Sequence, residues 1–153
     1  EVITMGDRMI VRNGGRVEQI GTPIQVYETP QTLVAAQFIG SPSMKVFETT
    51  VQNKTLAIGD ITVPVNTEAK GKVAAGMRPE HVIVDDNGPL SITVQMGEPL
   101  GANTLLHGRL DGTSDAFTIS LPGVHHTVAG QVIRFAVDPR HMHLFDIKSG
   151  ERI

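Results

Sequence analysis

The rhythm of apolar and polar positions changes near Gly40-Ser41-Pro42-Ser43, dividing the chain into two regions of different character. Before that point, Arg8-Met9-Ile10-Val11-Arg12 is a short apolar run of the kind buried on both faces of a sheet, and Asn13-Gly14-Gly15 supplies turn residues that tolerate positive φ. Arg16-Val17-Glu18-Gln19-Ile20 returns as a partner strand, so the pattern predicts a hairpin. Thr22-Pro23-Ile24-Gln25 predicts a helix start: Thr caps it, Pro fits its first turn, and Gln at the third helical position completes a capping box. Thr29-Pro30 predicts a second helix through Leu33, Val34, Ala36 and Phe38, with Gly40 as its left-handed terminator.

After Ser43 the helical signals stop and alternation takes over. Leu56 and Ile58 lead into Gly59-Asp60, and Ile61 and Val63 lead out, which predicts a hairpin closed by a two-residue turn with Gly first. Further strands are predicted over 45–51, 73–77, 81–84, 90–96, 105–110, 116–121, 132–137 and 142–145, each bounded by Gly, Pro, Asn or Asp. Many short strands separated by turns indicate a barrel or sandwich, because closing or doubling the sheet hides its edges. The fold class predicted is therefore mainly β, with a short α/β segment over 1–40 and an all-β domain over 43–153. No repeat is visible at residue level.

Composition narrows the chemistry. With 153 residues the chain has room for one ordinary domain and a short extra segment. Its 40% apolar and 19% charged residues suit a folded globular chain. Five Phe, one Tyr and no Trp leave few rings on which bases could stack, and a net charge of −3 with both signs interspersed creates no field for a nucleic-acid backbone. No nucleic-acid partner is expected. The absence of cysteine excludes disulfides, thiolate catalysis and cysteine-ligated zinc, and agrees with a reducing compartment. No run approaches the roughly 18 apolar residues of a membrane span, and the start lacks the pattern of a signal peptide. A cytoplasmic location is the expectation. The chain opens on Glu1 in what reads as mid-protein text, so it is expected to be part of a longer polypeptide.

Three clusters invite a chemical reading. Arg78-Pro79-Glu80-His81 places a guanidinium, a carboxylate and an imidazole within one turn, although Pro79 turning between two strands, with its neighbours in structural hydrogen bonds or dimer contacts, accounts for the same residues. His141 and His143 face the same way on a strand, but a metal site needs a third ligand and a supporting shell that the sequence does not identify, and His125-His126 face opposite sides. No metal is expected. Leu100-Gly101-Ala102-Asn103-Thr104 can be read as an anion-binding turn or as an ordinary loop. No Gly-x-x-x-x-Gly-Lys followed by Ser or Thr occurs, so no backbone cradle for nucleotide phosphates is expected.

An ordered set of motifs then becomes specific. It starts with Glu1-Val2-Ile3-Thr4-Met5-Gly6-Asp7-Arg8 and continues through the apolar strand, Gly14-Gly15 and Gly21-Thr22-Pro23. Tyr27-Glu28, Phe38-Ile39-Gly40-Ser41-Pro42, Gly76-Met77-Arg78-Pro79-Glu80-His81, Leu100-Gly101-Ala102 and His143-Leu144-Phe145-Asp146 follow. Together they resemble the C-terminal part of ATP-binding subunits of sugar-type ABC importers, in the maltose and glycerol-3-phosphate branch. The resemblance implies that residues 1–40 end a nucleotide-binding domain, opening with a short helix, and that 43–153 form a transport-associated oligonucleotide-binding-type (TOBE) barrel. It implies ATP and magnesium in the parent protein, with the phosphate-binding loop, magnesium-binding acidic residue, signature and switch histidine all upstream of Glu1. This segment alone is therefore expected to hold no cofactor and to have no catalytic residue.

The implied role is that of a non-catalytic regulatory and dimerisation region, cytoplasmic and peripheral to the inner membrane face. The implied partners are a second copy, transmembrane permease subunits and a regulatory protein. Arg78, Glu80, His81, Leu100, Gly101, Asn103, His143 and Phe145 are the candidate regulatory or dimer contacts. The alternative is a barrel that senses a small oxyanion or sugar phosphate. Met9, Ile10 and Val11 would make a sticky edge if bare, so segment 1–40 is expected to pack on its own barrel, to exchange with a second copy, or to be poorly ordered.

Overall fold

The computed structural model describes residues 2–153, so Glu1 of the opening motif lies outside the described residues. Three strands, β1 (Val2–Met5), β2 (Arg8–Asn13) and β3 (Arg16–Gly21), form an antiparallel sheet in chain order. The opening is thus a strand rather than the short helix that the resemblance implied. Val2, Ile3 and Thr4 are β-branched, and Gly6 at φ +60° lets the chain turn back so that Met5 faces Arg8. In β2, Met9 and Val11 are buried while Ile10 between them is half-buried, so the run is covered chiefly on one face and not on both. The cover comes from two helices, α1 (Pro23–Glu28) and α2 (Leu33–Phe38), whose Val26 and Ala35 complete a small core with Met9 and Val11.

The capping box of α1 forms as expected: Gln25 N donates to Thr22 Oγ1 at 3.2 Å, and Thr22 N to Gln25 Oε1 at 2.9 Å. The second Thr-Pro pair does not open α2. Thr29 closes α1 instead, its N–H bonded to the Gln25 carbonyl at 2.9 Å, because a residue before proline is disfavoured in the helical region. Thr32 caps α2, its side chain accepting from Ala35 N at 3.1 Å.

The rest of the chain is β. One five-stranded sheet has the order β13-β7-β4-β5-β6, built from β4 (Lys45–Gln52), β5 (Thr55–Ile58), β6 (Ile61–Pro64), β7 (Gly71–Met77) and β13 (Met142–Phe145). The other has the order β11-β10-β9-β12-β8, built from β8 (Val82–Val84), β9 (Leu90–Pro99), β10 (Asn103–Leu110), β11 (Ala116–Pro122) and β12 (Val132–Val137). All pairings are antiparallel. The inward residues of both sheets, among them Leu56, Val73, Met77, Ile92, Leu106, Phe117, Ile119, Phe135 and Leu144, share one core. The sheets make a nearly closed OB-like barrel, as the turn-punctuated alternation predicts. Single turns of 3-10 helix at Pro79–His81 and Pro139–His141 carry the chain from one sheet to the other, β7 to β8 and β12 to β13.

The N-terminal segment packs on this barrel, the first of its three expected outcomes. Ala36 joins Met44, Ala74 and Phe145 in a buried cluster flanked by Leu33, Val46 and Ile147. The chain's last residues add a seam, with Leu33 N on the Gly150 carbonyl at 2.9 Å and Arg152 N on the Gln31 carbonyl at 2.8 Å.

Gly59, the first turn residue of the β5–β6 hairpin, has φ +60°, and a Cβ there would lie 2.6 Å from the Gly112 carbonyl oxygen. Gly59→Ala is expected to destabilise the barrel by about 1 to 3 kcal/mol through a strained backbone and a clash with main chain. Urea denaturation measures this, and an unchanged midpoint would refute the close packing of these two turns.

Candidate functional site

The site begins with the end of β7. Arg78 precedes a proline, which holds its backbone extended at φ −86° and ψ 138°. Its side chain is completely buried between barrel and helices. A buried guanidinium needs acceptors, and helix C-terminal ends offer carbonyls without intrahelical partners. Arg78 takes them from both helices: Nη2 donates to the Tyr27 carbonyl at 3.0 Å, and Nη1 to the carbonyls of Ile39 at 2.7 Å and Ala36 at 3.3 Å. The guanidinium carbon lies 4.3 Å from the centroid of the Tyr27 ring, a cation–π contact. Gly40, at φ +100°, leaves the space that Nη1 occupies, since a Cβ there would come within 3.0 Å of it. Burial pulls the Arg78 pKa downward, with Tyr27 and Glu80 opposing.

Two corners of the chain meet beside this pin. Arg78-Pro79-Glu80-His81 and Asp138-Pro139-Arg140-His141 both enter a 3-10 turn through proline and end it in histidine. The two rings stack, with centroids 3.9 Å apart and planes 18° from parallel. Tyr27 makes a T-shaped contact with His81, the ring centroids 5.7 Å apart. Its phenol donates to Glu80 Oε2 at 2.5 Å, and lies 3.4 Å from His81 Nε2. A phenol already donating can only accept from that nitrogen, so the network assigns the His81 proton to Nε2 and leaves Nδ1 a buried acceptor without a partner. Burial, followed by the bond to Glu80, pushes the Tyr27 pKa far up. The His81 pKa is lowered by burial first and by His141 second.

His143 on β13 is buried. Its Nδ1 receives a hydrogen bond from Arg152 Nη1 at 3.0 Å, which assigns the ring proton to Nε2, a buried donor without a partner. Arg152 also donates to the Pro30 carbonyl at 3.2 Å. Desolvation, then the charge of Arg152, drives the His143 pKa down to about 4, so the ring is neutral at physiological pH. Tyr27, Glu28, Thr29, His81, Arg140, His141 and His143 line a polar cleft of about 330 Å³ between α1 and the barrel. Arg140 and Asp138 occupy one another through contacts of 3.1 and 3.2 Å.

Arg78, Glu80, His81 and His143 thus come together, with Arg78 and His143 turned inward. Phe145 is buried against α2. Leu100, Gly101 and Asn103 lie apart on the β9–β10 turn, whose groups bond within the protein: Leu100 N to the Asn103 carbonyl at 2.8 Å, and Asn103 Nδ2 to Ser120 Oγ at 2.9 Å. His141 and His143 do not act as a pair, since one stacks on His81 and the other bonds Arg152. Among the described residues no three His, Cys, Asp or Glu side chains are grouped to hold a metal ion. Sequence reasoning missed Tyr27 and Arg152 as members of the site, and weighed His141 only as a metal ligand beside His143. The echo of Arg-Pro-Glu-His in Asp-Pro-Arg-His was the available signal for His141.

Comparison with known proteins places this geometry in context. Residues 75–145, from within β7 to the end of β13, match the TOBE domain. The chain is 44% identical over 154 residues to the sn-glycerol-3-phosphate import ATP-binding protein UgpC of Ruegeria sp. (strain TM1040), covering all of this chain and 44% of that protein. The corresponding proteins of Ruegeria pomeroyi, 42% identical over 154 residues, and Psychromonas ingrahamii, 33% identical over 162 residues, are covered to 44% and 43% of their lengths. The chain therefore spans less than half the length of these relatives.

Two outcomes are expected at the site. Arg78→Met strands the carbonyls of Tyr27, Ala36 and Ile39 and costs about 3 kcal/mol or more in urea denaturation, whereas equal stability would show that the pin is dispensable. For His143 the folded pKa lies below the ordinary 6.5, at about 4. Its contribution is complete above pH 6.5 and disappears as pH falls toward 4, roughly 3 kcal/mol in all. Stability measured across that range should retain less of this slope in His143→Gln.

Proposed function

We propose that this chain, whose residues 75–145 match the TOBE domain, belongs with the ATP-binding subunits of glycerol-3-phosphate-type ABC importers and is the non-catalytic regulatory brace of such a subunit. Residues 1–40 are on this reading the end of the nucleotide-binding portion, and 43–153 the regulatory domain. The observation that carries the proposal is the Arg78 pin, which joins the C-terminal ends of both helices to the barrel. A barrel coupled in this way transmits its position to whatever the N-terminal sheet packs against. Two copies held together by their barrels would keep two ATPase portions at high effective concentration, so each cycle needs a hinge motion and not a new encounter.

An exposed apolar sheet edge supports the dimer part of this reading. Ile83 and Val84 on the edge strand β8 are 57% and 46% exposed. An unpaired apolar sheet edge favours burial against another surface. Glu80, Leu100 and Gly101 are the exposed members of the candidate contact set and are the ones available to a second copy or a regulatory protein. Permease subunits at the inner membrane face, and a cytoplasmic location, belong to the same reading. No helix among the described residues is long and apolar enough to cross a membrane.

ATP and magnesium do not fit the residues present. The described helices are six residues long, and none follows a phosphate-binding Gly-Lys loop. On this reading nucleotide chemistry belongs to other residues of a longer subunit.

A second reading, a sensor of a small sugar phosphate or oxyanion, is favoured by the polar cleft with its buried, unpartnered His143 Nε2.

Analytical ultracentrifugation of this chain is expected to show a concentration-dependent dimer that Ile83→Glu weakens. A strict monomer at concentrations well above cellular ones would overturn the dimer role. Calorimetric titration with glycerol 3-phosphate and with sulfate separates the readings, since the brace predicts no saturable heat.

A further inference from the structure

The two corners that carry the chain between sheets touch through one ring stack, which the brace role does not use. His81 closes the Pro79–His81 turn, His141 closes the Pro139–His141 turn, and their rings lie 3.9 Å apart. Tyr27 holds α1 against this stack, through its T-shaped contact with His81 and its phenol on Glu80.

The ionisable surroundings are few. From α1 they are Tyr27 and Glu28, and from the first corner Arg78 and Glu80. The second corner contributes Asp138 and Arg140, which bond each other, and β13 contributes His143, with Arg152 beyond it. Strand β11, also packed on the first corner, carries no ionisable side chain.

Two neutral imidazoles stack without charge conflict, and a single proton is balanced by Glu80 and Glu28 nearby. A second proton sets two parallel positive rings in contact. On His81 the added proton falls on Nδ1, which is buried and faces no acceptor. Both effects oppose the fully charged pair and neither opposes the neutral one. The lowered affinity of His81 for protons has the same two causes, burial and His141.

We propose that the His81–His141 stack is an acid-released latch: charging both rings drives the two corners apart and releases the Tyr27 side chain, leaving α1 held by Arg78 alone and so looser on the barrel. The regulated quantity is the stiffness of the joint between the helices and the barrel, whatever task that joint serves.

The chain contains one Tyr and no Trp, so its intrinsic emission reports Tyr27 alone. A phenol bonded to a carboxylate emits weakly, and release raises the emission. From pH 8 down to pH 5 the emission of the intact chain is expected to rise while far-ultraviolet circular dichroism stays constant. His141→Phe keeps a stacked ring that cannot charge, and should abolish the rise. The imidazole C2–H signal of His81 should titrate at higher pH in His141→Phe than in the unaltered chain, because the neighbouring imidazole that lowers its proton affinity is gone. Flat emission, a rise that follows loss of ellipticity, a rise unchanged in His141→Phe, or a His81 titration unmoved by His141→Phe would each overturn the latch.

Discussion

Burying the guanidinium of Arg78 imposes a demand that the rest of the structure is arranged to meet. The charge cannot leave, because arginine does not deprotonate under these conditions, and its position under the helices keeps water from solvating it. Its acceptors must be dipoles, and the open C-terminal ends of α1 and α2 supply them. Satisfying Arg78 thus fixes where both helices end and how they approach β7. Gly40 has no side chain for the same reason, and Tyr27 lays its ring on the cation that its own carbonyl binds. One residue of the barrel thereby determines the geometry of a segment some forty residues earlier in the chain.

The corners on either side of the barrel give this joint its second property. Each begins with a proline that starts a 3-10 turn and ends with a histidine, and each passes the chain from one sheet to the other. Their meeting concentrates three imidazoles at the junction, two stacked and one neutral beneath Arg152. A joint that relies on a buried guanidinium bonded to backbone carbonyls is rigid, since water does not reach the cation. The same shielding makes it sensitive to added charge. Rigidity suits the brace proposed for this chain, and sensitivity to charge suits the latch proposed at its corners.

Much of the β architecture was legible in one dimension. Strands β12 and β13 fall on the predicted positions, and the Gly59-Asp60 and Gly14-Gly15 turns have the positive φ values that their glycines anticipated. These features depend on residues adjacent in the chain: alternation, turn chemistry and caps. The misplaced start of α2 is instructive, because Thr29-Pro30 and Thr22-Pro23 are alike locally. What separates them is that Thr29 already closes α1, while Thr32 has a free hydroxyl and a bridge to Glu151 from the far end of the chain. The opening strand differs from the implied helix because β2 presented an edge to β-branched residues.

The sequence by itself determined a turn-punctuated β architecture and its resemblance to importer ATP-binding subunits, since periodicity and motif order carry those properties. Only the tertiary structure decided what Arg78, His81, Tyr27, His141 and His143 are for. Arg78 and Glu80 in sequence are charges beside a turn. In space one is sealed against three carbonyls and the other holds a phenol. The role of a charge depends on which dipoles surround it and whether water reaches it, and both follow from contacts between residues that the chain keeps far apart.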